Sequence, residues 1–301
     1  MNIIGKSKIF LSISIVLVVA SIFAIVVLGL KPGIDFKGGA LWQLKLQSDN
    51  QQQTTDSLKS FFETKLGIKN VVIFPGENND YLVHIDSISE NNHQAYLTAL
   101  KSNFSGIEES QFESVGPSIG AELKQNAVWA IVLVLLGISL FVAYAFRKVS
   151  YPVTSWKYGT VTLITLFHDV IIPAGLLAVL GWRLGTEIDI NSIVALLVVM
   201  GFSVHDTIVV FDRIRENLMT SKTGSNFAEI VNKSINQTLA RSINTSLTVF
   251  LVLLAMFFFG PASLKYFILT ILVGIAVGTY SSIFVASPAL VIANKFGKSG
   301  K

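Results

Sequence analysis

Six stretches of this chain are apolar for the length of a bilayer crossing: Ile9–Leu30, Asn126–Phe146, Gly159–Trp182, Ile188–Phe211, Ile243–Gly260 and Tyr266–Ala293. About 20 apolar residues in a helix span the ~30 Å hydrocarbon core. Inside lipid every backbone N–H and C=O must be satisfied by protein, which leaves the α-helix as the form for such runs. Hydrophobic residues make up 51% of the chain and charged residues 14%, where soluble domains carry about a quarter charged. The expectation is an α-helical membrane protein with six transmembrane helices. Pro173 and Pro288 fall inside two of the spans, tolerated because neighbouring helices can satisfy the freed carbonyls. The first span is long for a signal-peptide core and no small-residue cleavage site closes it, so it reads as a retained helix.

Loop charges set the orientation. One side collects thirteen basic residues, from Lys6 and Lys8 through Arg147, Arg213, Arg215 and Arg241 to Lys301, and the short loops opposite hold only Arg183 and Lys265. Both termini are therefore expected in the cytoplasm, in a multi-pass protein of the cytoplasmic membrane. The net charge of +4 follows from this asymmetry and is no nucleic-acid footprint. With no cysteine in the chain, disulfides and thiolate metal sites are excluded.

The one sizeable polar segment, residues 31–124, falls on the outer side between helices 1 and 2, with eight Lys against twelve Asp and Glu. Its pattern predicts strand (Ala40–Leu46), helix (Thr54–Leu66), strand (Asn70–Phe74), strand (Asp80–Asp86), helix (Asn91–Phe104) and strand (Gln111–Val115). Gly76, Glu77, Asn78 and Asn79 supply the turn between the middle strands. The order β-α-β-β-α-β is that of an extracytoplasmic α+β ferredoxin-like domain. It holds no phosphate loop, metal motif or nucleophile–base pair, so it reads as a binding or mechanical module, non-enzymatic and without cofactor. The domains are then residues 1–30, 31–124, 125–293 and a basic tail, 294–301.

The chemistry concentrates in the fourth span. Between Ile190 and Asn217 an apolar run is interrupted by His205 and Asp206 before it ends at Asp212, Arg213, Arg215 and Glu216. A carboxylate at membrane depth costs about 3 kcal/mol on insertion scales, so it faces protein or water. Helical spacing puts Asp206 and Arg213 on one stripe with Ser203 and Val210. A second pair, His168 and Asp169, lies in the third span. One such histidine is usually a packing residue; two His-Asp pairs on consecutive spans point to an ion or proton path. Arg241, at the inner mouth of the fifth span, is either a counter-ion for Asp206 or an anchor obeying the positive-inside rule. Gly274 and Gly278 form a G-x-x-x-G pair suited to helix packing. Gly33, Asp35, Phe36, Gly38 and Gly39, and later Gly116, Pro117 and Gly120, occupy the two connections between bundle and outer domain. Glycine suits sharp turns there.

Taken in order, G-I-D-F-K-G-G after helix 1, V-G-P-S-I-G-A-E-L before helix 2, H-D in helix 3, V-H-D-T-I-V-V-F-D-R-I-R-E-N ending helix 4 and Q-T-L-A-R entering helix 5 resemble the SecF family. The likeness runs through nearly the whole chain; one departure is a cytoplasmic stretch between Asp206 and Arg241 a residue longer than usual. The family belongs with the resistance-nodulation-division transporters. The resemblance implies an accessory subunit of protein export, paired with a SecD-like subunit beside a SecYEG-like channel. Its other partners would be a translocating preprotein, the lipid bilayer and protons as coupling ion. It also implies that Asp206 matches the carboxylate of proton passage and Arg241 the arginine near it. A competing reading is half of a proton-driven exporter of small molecules or lipids, which generally has two six-helix halves and bulkier outer domains. A passive scaffold would leave the buried carboxylates without a role.

Overall fold

The computed structural model describes residues 1–47, 51–76, 79–147, 153–221, 226–261 and 264–296. The chain divides into two units, Pro32–Ala127 and the remainder, Met1–Lys31 with Val128–Lys301. Among the described residues, six helical stretches are long and apolar enough to cross a membrane, so this is a mostly helical, multi-pass membrane protein with a small sheet.

In the larger unit, helix α1 covers Ser7–Leu28. Helix α2 (Ile34–Lys37) and strand β1 (Gly39–Lys45) open the smaller unit. Its other elements are α3 (Gln51–Thr64), β2 (Val72–Pro75), β3 (Asp80–Ile85), α4 (Glu90–Asn103) and β4 (Glu108–Val115). The chain returns through α5 (Pro117–Ala145), α6 (Ser155–Leu184), α7 (Ile190–Thr220) and α8 (Phe227–Phe259). The last span is not one regular helix. It runs as α9 (Lys265–Ser281), a π-helical turn over Ser282–Ala286, and α10 (Ser287–Phe296). Pro288 explains the widened turn: it lacks an N–H, and its ring crowds the carbonyl four residues earlier, at Phe284.

Helices α6, α7 and α9 form the centre of the larger unit. Half or more of the apolar stretch is buried in each of these spans, against about a tenth in α1, α5 and α8. Small residues make the close approach. A Cβ on Gly274 would fall 2.1 Å from the Val199 side chain, and one on Gly278 3.1 Å from Ser203 Cβ, so the glycine pair is where α9 lies against α7. Gly175 of α6 does the same against Ser21 of α1, at 2.5 Å. At the start of α7, Asp189 accepts the Ser192 N–H at 2.8 Å while Ser192 Oγ receives the Asp189 N–H, a reciprocal cap that satisfies two orphan donors.

The smaller unit has its strands in the order β2-β3-β1-β4, all neighbours antiparallel. The chain order β-α-β-β-α-β is as expected, although β4 starts three residues earlier than its pattern suggested and α3 three earlier. Its core gathers Trp42 and Leu44 of β1, Tyr81 and Val83 of β3, Leu58 and Phe62 of α3 and Leu100 of α4. A register irregularity at Gln43/Leu44 keeps Glu109 where it takes the Trp42 indole N–H at 2.7 Å. Of the expected hairpin turn, Glu77 and Asn78 lie outside the described residues, as do the inner-side Lys148, Lys222, Lys298 and Lys301.

Candidate functional site

Asp169 and Asp206 sit where α6, α7 and α9 meet. Asp169 is fully buried. Its Oδ1 lies 2.7 Å from His168 Nδ1, and its Oδ2 accepts the hydroxyls of Ser203 and Ser281, the latter at 2.6 Å. Three helices thus converge on one carboxylate. Pro173 removes the N–H that would have closed on the Asp169 backbone carbonyl, loosening α6 at the same turn. Asp206 is 6% exposed and accepts the Ser282 hydroxyl at 2.6 Å. Separately, the Thr279 hydroxyl of α9 donates to Ser246 of α8 at 2.6 Å.

This surround is polar without being charged. Among the described residues, His168 is the one basic group within ion-pair distance of either carboxylate. Thr207 Oγ1 of α7, Ser242 Oγ of α8 and His168 Nε2 of α6 are buried with no hydrogen-bond partner among the described residues. Buried polar atoms are rarely left so.

The remaining residues singled out by sequence divide. Ser203, Asp206 and Val210 of the expected stripe are buried. His205 is exposed, because successive residues on a helix are turned about 100° apart, so the two His-Asp pairs are not equivalent: His168 bonds its aspartate and His205 points away. Arg241 is also exposed and makes no ion pair with Asp206 within the described residues. Arg213 is held by Glu216 at 2.5 Å and by Gln237 of α8 at 2.7 Å.

In the smaller unit, the two glycine-rich connections meet each other. Ile34–Lys37 is a single helical turn, and Pro117–Gly120 is the first turn of α5, not a free linker; proline suits that position because its missing N–H would have no partner there. Gly38, at φ +78°, leaves no room for a Cβ, which would strike Pro117 Cα at 2.8 Å. Gly120 leaves room for the Gly38 nitrogen, 3.0 Å from where its own Cβ would be, and lies against Phe36 and Asp35. Gly33 accepts the N–H groups of Phe36 and Lys37, Gly39 lies against Ile34, and Gly116 accepts the Gly120 N–H. Backbone-to-backbone packing, more than flexibility, explains these glycines. A separate polar cluster joins His93 to Glu109 at 2.7 Å, with the His93 ring stacked on Phe112 at 3.7 Å.

Sequence reading placed Ser203 on the Asp206 stripe, where the structure has it donate to Asp169, and it missed Ser281 and Ser282 altogether. The available signal was Thr279-Tyr280-Ser281-Ser282, four hydroxyl residues in a row inside an apolar span, six residues before a proline.

Comparison with known proteins bears on this arrangement. Residues 95–295 match the family model described as protein export membrane protein SecD/SecF, C-terminal. The chain belongs to the SecD/SecF family. A second model, the SecD/SecF GG motif, matches residues 23–49, which contain Gly38 and Gly39. A protein translocase subunit SecF from Thermobaculum terrenum is 42% identical over 290 residues, covering 94% of this chain and 90% of its own. Its counterpart from Anaerolinea thermophila is 36% identical, covering 97% and 94%. The crystal structure of SecDF from Thermus thermophilus, described as a translocon-associated membrane protein, superposes with a TM-score of 0.82 at 36% identity. It covers 98% of this chain, which spans 39% of that longer one. The carboxylates, serines and glycine pair described above all lie within residues 95–295, the part matched as SecD/SecF.

Proposed function

We propose that this chain is an accessory subunit of the Sec export machinery that couples proton passage across the cytoplasmic membrane to late steps of preprotein translocation. It works with a SecD-like partner beside the translocon channel. The observation that carries this is Asp206: a buried carboxylate in an apolar span, held by a hydroxyl and left without a cation within ion-pair distance among the described residues. An ionised carboxylate only accepts hydrogen bonds, and a protonated one also donates. A proton moving down a membrane potential supplies about 2.3 kcal/mol per 100 mV, enough to bias two packings of a helix bundle.

The names of the relatives support an export role, and the single-chain SecDF supports a SecD-like partner for a chain that spans two fifths of it. Exposure of Arg241 and His205 on transmembrane helices also favours a partner, since ionisable groups at that depth face protein or water. In this reading the sheet-bearing unit is a ferredoxin-like domain outside the membrane, both termini are cytoplasmic, and Asp206, Asp169, His168 and Arg241 contribute to the proton path.

The test is export of a secreted reporter into membrane vesicles with and without a proton gradient. Asp206→Asn keeps size and hydrogen bonding and removes titration. It should assemble with the partner and lose the gradient-dependent part of export. Normal gradient-driven export by this variant would refute Asp206 as the carrier.

A further inference from the structure

Ser281 and Ser282 are consecutive residues, yet each stands against a carboxylate of a different helix: Ser281 against Asp169 of α6, Ser282 against Asp206 of α7. The turn of about 100° between neighbours on a helix lets the last residue of α9 and the first of the π-helical turn address one carboxylate each. Each hydroxyl also has a second acceptor. Ser281 Oγ is 3.0 Å from the Gly278 carbonyl, and Ser282 Oγ is 3.0 Å from the Thr279 carbonyl. A hydroxyl has one hydrogen to give, so each serine chooses between a carboxylate and its own helix.

We propose that this serine pair converts the protonation state of Asp169 and Asp206 into a change of backbone hydrogen bonding at the junction between α9 and the π-helical turn. The inference deepens the proton-carrying reading of Asp206 and rests on it. An ionised carboxylate only accepts, so the serine hydrogen points to it. When the carboxylate takes up a proton, the new O–H donates to the serine oxygen and the serine hydrogen rotates onto the carbonyl three residues back. Each serine keeps its own hydrogen throughout, and the only proton gained is the one on the carboxylate.

The receiving carbonyls sit where such a change has an effect. The Gly278 carbonyl already accepts the Ser282 N–H, and the regular α pattern ends directly after it. A hydroxyl bonded back onto its own helix loosens and bends it. The turn that follows is held open by Pro288 and by Ser287, whose hydroxyl donates to the Ser282 carbonyl at 3.2 Å. Widened turns of this kind recur at functional sites. The π-helical turn touches α1, α6, α7, α9 and α10, so a bend here reaches much of the bundle. Few charged groups compete for the two carboxylates: His168 faces Asp169, His205 points outward, Arg241 of α8 is exposed, and α1 carries only Lys8, in its first turn.

The sequence permits a clean measurement, because Thr279-Tyr280 is the one Thr-Tyr step in the chain. Full-length protein labelled with ¹³C-carbonyl threonine and ¹⁵N-tyrosine, reconstituted in lipid bilayers, reports the Thr279 carbonyl alone by solid-state NMR. Acidification should shift this carbonyl signal downfield in the wild type as the Ser282 hydroxyl turns onto it. The shift should be lost in Ser282→Ala, retained in Ser282→Thr, and insensitive to pH in Asp206→Asn. A wild-type signal that ignores pH, or a pH-dependent shift that survives in Ser282→Ala, overturns the serine reading. Neither depends on the export assay, so failure here is distinguishable from failure of Asp206 as proton carrier.

Discussion

Gly38 and Gly67 both adopt left-handed backbone, at φ +78° and +71°, but differ in their surroundings. A Cβ on Gly67 meets nothing within 4 Å, whereas one on Gly38 strikes the Pro117 backbone. Gly67→Ala should therefore cost only the conformational penalty of about 1–2 kcal/mol, and Gly38→Ala distinctly more, read as protease sensitivity of residues 32–127 in the full chain. Equal losses would show that the Gly38–Pro117 approach carries no energy of its own. His84, half-buried on β3, gives a second residue-scale prediction. Burial, and then the charge of Lys37, hold its pKa below the usual 6.5. A base with a depressed folded pKa contributes stability above its unfolded pKa and loses it as pH falls. Resistance of this unit to urea should drop below about pH 6.5, and His84→Gln should remove that part of the drop. An unchanged pH profile in the variant would assign the dependence to other groups.

At the scale of elements, the last span is the one the sequence misrepresents. Its apolar run reads as a single helix over Tyr266–Ala293, and the structure divides it at Ser282. Pro288→Ala restores the missing donor and should let the turn close into regular α-helix, abolishing the pH response of the Thr279 carbonyl while the chain remains folded. Persistence of that response in an unbroken helix would show that the π-helical turn is incidental. The α7–α9 contact offers a companion test. Gly274→Val overfills the space against Val199, a change that typically costs 1–3 kcal/mol, and it should lower the thermal stability of the protein in detergent. Apolar length made the helices themselves legible. Their ends were less so: Val115-Gly116-Pro117 reads as a linker, but proline is a good first residue of a helix, and α5 begins there.

At the scale of the whole molecule, topology is open to direct measurement because the chain has no cysteine. Asp56→Cys, on the exposed side of α3, should react with a membrane-impermeant maleimide from outside the cell. Asp212→Cys, at the polar end of α7, should react only after permeabilisation. The reverse labelling would invert the proposed orientation. What the sequence by itself determined is what depends on local composition. Six apolar runs require six helices in lipid, alternating apolar residues make a small sheet, and two aspartates in apolar spans require a special environment. What only the tertiary structure decided is which groups supply it. Ser281 and Ser282 lie 112 and 76 residues from the carboxylates they touch, and Gly38 meets Pro117 across the whole sheet-bearing segment. His205 and Arg241, which look in sequence like natural partners of Asp206, are turned to the surface. Neighbours in the chain lie on different faces of a helix, and contacts of this kind are set by the packing of one helix on another.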